Sequence, residues 1–395
     1  MAEKRPTILQ IIPELDTGGA ELSTIEIAGA IEAAGGHAIV LSEGGRLVQR
    51  LRDTGAELQF FAAAAKSPIR LLWNAHRIAD IVRRDHVDLV HARSRAPAWS
   101  ALLAARRTGV PFVTTYHGAY SETFAAKRLY NSVMARGDAV IANSHYTADL
   151  IRMRYGTPGA RVHVIYRGLD AGEFDPDQIA PERVTALRER WRVGADTRIV
   201  LQAARLTGWK GQSVLIEAAR LLKAQGTLGD TVVVLAGDAQ GRSTYTASLL
   251  QAIRTAGLDG RVRLVGHVDD VAAAFWAAHV AVVASTEPEA FGRAATEAQA
   301  AGTPVIATDI GAPPETVKSV QRFGADAATG WLVPPADAPR LADAIAAALA
   351  LTPDERARMG ARARAHVAER FSLDVMKRQT LQVYDSLLGT HLAAA

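Results

Sequence analysis

Cysteine is absent from all 395 residues. Its absence excludes disulfides, thiolate zinc sites, CxxC redox chemistry and a cysteine nucleophile, and it suits a reducing cytoplasm. No apolar run is long enough to cross a bilayer. The longest, residues 271–284, has 14 residues and contains His279, against the roughly 20 that a spanning helix needs. The opening residues carry charge and reach Pro13 and Glu14 before any long apolar run, so no secretory signal is expected. Neither G-x-G-x-x-G nor a P-loop occurs, which argues against nicotinamide and P-loop chemistry, and the histidines lack HExxH spacing. Helix-turn-helix, RNP and finger patterns are also missing, so no nucleic-acid partner is expected.

What is present is ordinary globular composition, 49% apolar and 22% charged, in a chain long enough for two to three domains of roughly 150 residues. The net charge of +4 is unevenly placed. Residues 1–170 carry 21 Lys and Arg against 16 Asp and Glu, and residues 46–107 carry 11 Arg and one Lys against five acids. A basic first half points either to an anionic partner or to a solvated arginine-rich surface.

Short apolar, β-branched runs alternate with helical stretches. Strands are expected at 7–12, 38–41, 88–91, 112–116, 139–142 and 162–165. Ser144 and Gly156 read as the N-cap and C-terminal stop of a helix over 145–155. Residues 168–182 are rich in Gly, Pro and Asp, which is linker chemistry. A second series follows, with strands at 199–203, 232–236, 262–265, 281–284, 305–307 and 331–333. Its helices lie near 211–225, 291–301, 340–350 and 354–388, the last broken at Phe371–Ser372. The alternation predicts an α/β chain of two doubly wound, parallel-sheet, Rossmann-like domains facing across a cleft. They are expected over 1–170 and 171–371, with a C-terminal helix over 372–395 that packs back on the first.

Three motifs carry chemistry. Gly18 and Gly19, in Thr17-Gly18-Gly19-Ala20-Glu21 after the first strand, let backbone N–H groups approach a ligand at a helix start; a plain tight turn would look the same. Arg205 and Lys210 follow the first strand of the second series, where two cations can clamp a diphosphate, or are simply surface charges. Glu289 and Glu297 flank Phe291-Gly292-Arg293. Those three residues are expected to open a helix and offer backbone donors to phosphate or sugar oxygens. Glu297, expected two turns in, leans back toward the same place and can accept from ribose hydroxyls.

Together these residues resemble the retaining glycosyltransferases of family 4, which have the GT-B fold, over nearly the whole chain. The two glutamates match the family signature, as do the Gly-Gly-Ala-Glu segment and the Arg205/Lys210 pair. His117, in Thr-Thr-Tyr-His-Gly, matches a family histidine at a strand end. Residues 310–315 match a Gly-rich turn before Pro-Glu. The chain departs from the pattern at Arg167, where the family usually has Asn, and at Ala204, where it has Gly.

The resemblance implies a hexose-type transferase using a UDP- or GDP-sugar as substrate, with no cofactor and no metal. Glu297 would hold the ribose. Glu289 and the backbone of Phe291, Gly292 and Arg293 would hold the transferred sugar. Arg205 and Lys210 would neutralise the diphosphate with help from Gly18 and Gly19, and His117 would contact the donor sugar. The acceptor expected is a cell-envelope glycan or glycolipid, such as lipopolysaccharide. An epimerase of similar form, or a non-catalytic nucleotide-sugar-binding protein, is the alternative. Asp269 and Asp270 read as helix-start acids rather than metal ligands. The stretch 120–136 mixes apolar and basic residues. It reads as a core-packed helix with a basic edge, or as a segment resting on an anionic membrane at the inner face of the cytoplasmic membrane.

Overall fold

A computed structural model describes residues 5–16, 18–64, 67–118, 120 and 122–394. Seven strands form the first sheet: β1 (Thr7–Ile11), β2 (His37–Ser42), β3 (Glu57–Phe60), β4 (Leu89–Ala92), β5 (Phe112–Tyr116), β6 (Ala139–Ala142) and β7 (Val162–Val164). Six form the second: β8 (Arg198–Ala203), β9 (Thr231–Ala236), β10 (Val262–Gly266), β11 (Val280–Val283), β12 (Val305–Thr308) and β13 (Gly330–Val333). All pairings are parallel. The spatial orders are β3-β2-β1-β4-β5-β6-β7 and β10-β9-β8-β11-β12-β13. Each sheet therefore reverses direction beside its first strand, the doubly wound topology that places ligands at strand C-termini.

The chain divides into two compact units, residues 1–168 with 373–395, and residues 169–372. In the first unit, alternation along each strand serves two cores. Leu9 and Ile11 face the core shared with Ile78 and Val82 of helix Pro68–Arg84 and Ala101 and Leu102 of helix Arg95–Thr108. Ile8 and Ile12 face the opposite core, built from Ile25, Ile27 and Ile31 of helix Gly19–Ala33 and Met376, Leu381 and Tyr384 of helix Leu373–Leu388. The second unit packs helices Gln212–Ala224, Ser243–Thr255 and Ala338–Leu349 on its sheet through Leu215, Leu222, Leu249, Leu341 and Ile345.

Local chemistry sets the boundaries. Ser144 Oγ accepts from Thr147 N, and Gly156 ends that helix at φ +63°. Thr352 and Glu355 form a reciprocal capping box at the start of helix Pro353–Arg370.

Several expectations need correction. Strand β3 was not foreseen: its Glu-Leu-Gln-Phe sequence is half polar, and Phe60 is exposed at the sheet edge. The linker-like stretch carries two short 3-10 turns and leads into helix Pro181–Arg190. Residues 120–136 do not form one core-packed helix. A short helix, Ala125–Asn131, gives way to the 3-10 turn Ser132–Ala135. Val133 and Met134 are buried there, whereas Phe124, Leu129 and Tyr130 are exposed. Among the described residues, no helix is long and apolar enough to cross a membrane.

Candidate active site

In the second unit the named residues gather at the C-terminal ends of β8 and β11. The loop after β8 turns through Gly208–Lys210 and closes at Gly211, whose φ is +72°. A Cβ at Gly211 would collide with the Ala284 carbonyl, so glycine permits the contact that brings this loop onto the end of β11. Thr286 N donates to Trp209 O at 2.7 Å and fixes the same approach. Lys210 Nζ then donates to Glu289 Oε1 at 2.8 Å, and both side chains are largely buried. Lys210 also lies 4.3 Å from the centre of the Trp209 ring. Ser285 Oγ donates to the same Glu289 oxygen. Glu289 is held from the backbone too, since Ala312 N donates to its carbonyl at 2.9 Å. Arg205 is exposed on the same loop, and its side chain makes no ion pair among the described residues.

Gly292, at φ +80°, caps the helix Arg293–Ala300. The helix thus starts two residues later than expected, and Glu297 lies one turn in rather than two. Phe291 is buried, edge-to-face with Phe371 at 5.9 Å, so its ring anchors the loop. Arg293 Nε donates to Glu297 Oε1 at 2.6 Å. Burial lifts the Glu297 carboxyl above the usual range, and Arg293 partly offsets this.

In the first unit the corresponding strand ends carry Gly18, Gly19, Arg93, His117 and Arg167. Gly18 is the N-cap of helix Gly19–Ala33 at φ +154°. The Glu21 carboxylate folds back onto the place a Gly18 Cβ would take. Thr17 lies outside the described residues. His117 follows β5. Arg167 Nη2 donates to its Nδ1 at 3.2 Å, and an arginine can only donate, so the neutral ring carries its proton on Nε2. That Nε2 is buried with no hydrogen-bond partner among the described residues. Burial, then Arg167, Arg93 and His91, hold the His117 pKa well below the usual histidine value, so the ring is neutral near pH 7 and offers one N–H. The neighbouring His91 is fully buried. Its Nδ1 meets Tyr384 Oη at 2.6 Å and its Nε2 meets Thr115 Oγ1 at 2.8 Å. Asp270 caps the helix Val271–Ala277 and pairs with Arg183 at 2.7 Å.

Family comparison matches both units. Residues 17–173 fit the model described as Glycosyltransferase Family 4, and residues 184–366 fit Glycosyl transferases group 1. The chain is a family 4 glycosyltransferase. A D-inositol 3-phosphate glycosyltransferase from Xylanimonas cellulosilytica is 34% identical over 75% of this chain and 71% of its own. Among solved structures, a glycosyltransferase from Rickettsia africae superposes with a TM-score of 0.88 at 34% identity, covering 98% of this chain and all of that one. HepE from Anabaena, in complex with UDP and glucose, gives 0.80 at 26% identity over 97% of this chain and all of its own. The glycosyltransferase has the GT-B architecture these neighbours share.

Two groups of this glycosyltransferase are not marked by any motif in the sequence. Ser285 completes the grip on Glu289, and its only signal was a small polar residue at the end of an apolar strand. Tyr384, 293 positions from His91, orients that ring; nothing local announces such a contact.

Proposed function

We propose that the enzyme moves a hexose-type sugar from a UDP- or GDP-sugar to a cell-envelope glycan or glycolipid, with retention and without a metal. The observation that carries the donor assignment is the Lys210–Glu289–Ser285 cluster beside the exposed Arg205. A loop with one cation fixed and one free suits a diphosphate, whose negative charge grows as the sugar departs. Glu297 at the start of the next helix suits vicinal ribose hydroxyls, and the His117 Nε2–H suits a hydroxyl of the transferred sugar. HepE was solved with UDP and glucose, and the inositol-phosphate transferases are named for a phosphorylated polyol; both are in keeping with a nucleotide donor and a hydroxyl acceptor.

Retention by front-face transfer is favoured because Glu289 Oε1 is engaged by two donors and is not poised as a nucleophile. The bond from the anomeric carbon to the diphosphate oxygen breaks, the nucleoside diphosphate leaves with its electron pair and takes the acceptor proton, and the acceptor oxygen bonds to that carbon on the same face.

The acceptor class rests on the surface of the first unit. Helix Pro68–Arg84 exposes Ile69, Leu72 and Trp73 beside Arg70, and the segment 124–130 exposes Phe124, Leu129 and Tyr130 beside Arg128. Arg77 stacks on Trp73 at 4.6 Å. Apolar side chains set among arginines suit the boundary of an anionic membrane that carries a lipid-linked acceptor.

The test is calorimetric titration with UDP, GDP and ADP, with and without magnesium, followed by NMR of the anomeric product. One nucleoside diphosphate binding equally in EDTA, and a product with the donor's configuration, are expected. An inverted product or a covalent glycosyl-carboxylate adduct would overturn front-face retention.

A further inference from the structure

Among the described residues, Arg93 is a buried cation without a carboxylate partner. It follows β4, is 2% exposed, and lines a small pocket that lies wholly within the first unit. Ser23, Thr115, His117, Asn143 and Arg167 line the pocket around it. Arg93 Nη1 reaches Thr115 Oγ1 at 3.5 Å and Nη2 donates to Ser23 Oγ, while Nε is buried with no partner among the described residues. No carboxylate pairs with it among the described residues. Other arginines of the same unit, though exposed, have acids: Arg106 has Asp138, Arg84 has Asp85 and Arg50 has Glu26.

Hydroxyls satisfy donors but bring no negative charge, and a buried guanidinium without a counter-charge keeps the cost of its lost hydration. The neighbours add to the positive potential. Arg167 stands on His117, the histidine has an unpartnered Nε2, and His91 spends both nitrogens on Thr115 and Tyr384. Burial lowers the Arg93 pKa only to about 10, so it stays charged at neutral pH. Arg93 therefore has two hydroxyl acceptors and, among the described residues, no acid to answer its charge.

We propose that Arg93, with His117 and Arg167 at its rim, receives an anionic group other than the donor's diphosphate, a phosphate or carboxylate borne by one of the enzyme's two sugar substrates. A guanidinium matches such an oxygen pair in a bidentate manner that a neutral hexose cannot use. The assignment to a sugar substrate rests on the glycosyltransferase function; the anion pocket stands on Arg93 itself.

The experiment uses the full chain and inorganic phosphate as the first probe. Thermal unfolding is compared in phosphate and in chloride of equal ionic strength, for wild type, Arg93→Met and Arg167→Asn. Wild type gains stability in phosphate, Arg93→Met loses that gain, and Arg167→Asn reduces it. In chloride, Arg93→Met melts no lower than wild type, because an apolar chain of similar length replaces an unanswered charge. An equal phosphate gain in Arg93→Met, or a lower melting point for it in chloride, would overturn the anion pocket. Two further arms locate the source. A preference of at least tenfold for UDP-glucuronate over UDP-glucose, lost in Arg93→Met, places the anion on the donor. The same preference for glucose 6-phosphate over glucose, with UDP bound, places it on the acceptor. UDP binding is read separately: its failure would count against the donor assignment and leave the phosphate comparison standing.

Discussion

Lys210 and Arg205 sit five residues apart on one loop, yet their burial predicts opposite mutational behaviour. Lys210→Ala would strand the largely buried Glu289 without its cation. It should cost about 3 kcal/mol of stability and reduce turnover more than nucleotide affinity. Arg205→Ala removes an exposed, unpaired group and should change stability by less than about 0.5 kcal/mol, while weakening nucleoside diphosphate binding. Denaturant melts and calorimetric titration of both variants separate the two patterns; matching stability losses would contradict the burial argument. Glu297→Gln tests the second glutamate. Burial raises its folded pKa, so the folded chain binds the proton more tightly than the unfolded one. That stability is fully present below the ordinary carboxyl pKa of 4.5 and is lost as pH rises through the raised value. The glutamine variant should therefore melt higher than wild type at pH 7 and match it at the acid end of that window. It should also bind nucleotide about tenfold more weakly, because a charged hydrogen-bond acceptor is gone.

At the scale of the element, two devices hold the site together. Gly211 adopts φ +72° where a side chain would meet the Ala284 carbonyl. Gly211→Ala should push the 208–210 turn off β11, part Lys210 from Glu289, and lower both turnover and melting temperature. Unchanged kinetics would show that the turn tolerates the displacement. The second device is helix Leu373–Leu388, whose Met376, Leu381 and Tyr384 complete one core of the first unit. Ending the chain at residue 372 should expose that core and unfold the first unit, leaving residues 169–372 with their own calorimetric transition. Much of this was legible in sequence. Ser144, Gly156 and the alternating strands announce themselves because capping and side-chain alternation act within a few residues. Strand β3 does not, because an exposed edge strand needs no apolar pattern, and the Glu297 helix starts two residues later than its pattern suggests because Gly292 at φ +80° breaks it.

Across the whole molecule, positive charge and exposed apolar groups concentrate in the first unit, while the second carries the paired glutamates. Anionic vesicles should therefore bind the protein through Leu72, Trp73, Phe124 and Leu129. Flotation should recover wild type with anionic but not neutral vesicles, and replacing Trp73 and Phe124 with serine should abolish recovery while nucleotide binding persists. Equal flotation of wild type and the double variant would remove the membrane from the acceptor assignment.

By itself the sequence determined the two alternating α/β series, the motifs at the ends of their strands and the family to which they belong. These follow from periodicity, capping and short-range spacing, which are properties of neighbouring residues. Only the tertiary structure decided that Lys210 meets Glu289 across 79 positions, that Tyr384 orients His91 across 293, and that Arg93 is buried without an acid. Strand order brings distant residues together, and a side chain's burial and counter-charge are set by those distant neighbours rather than by its place in the chain.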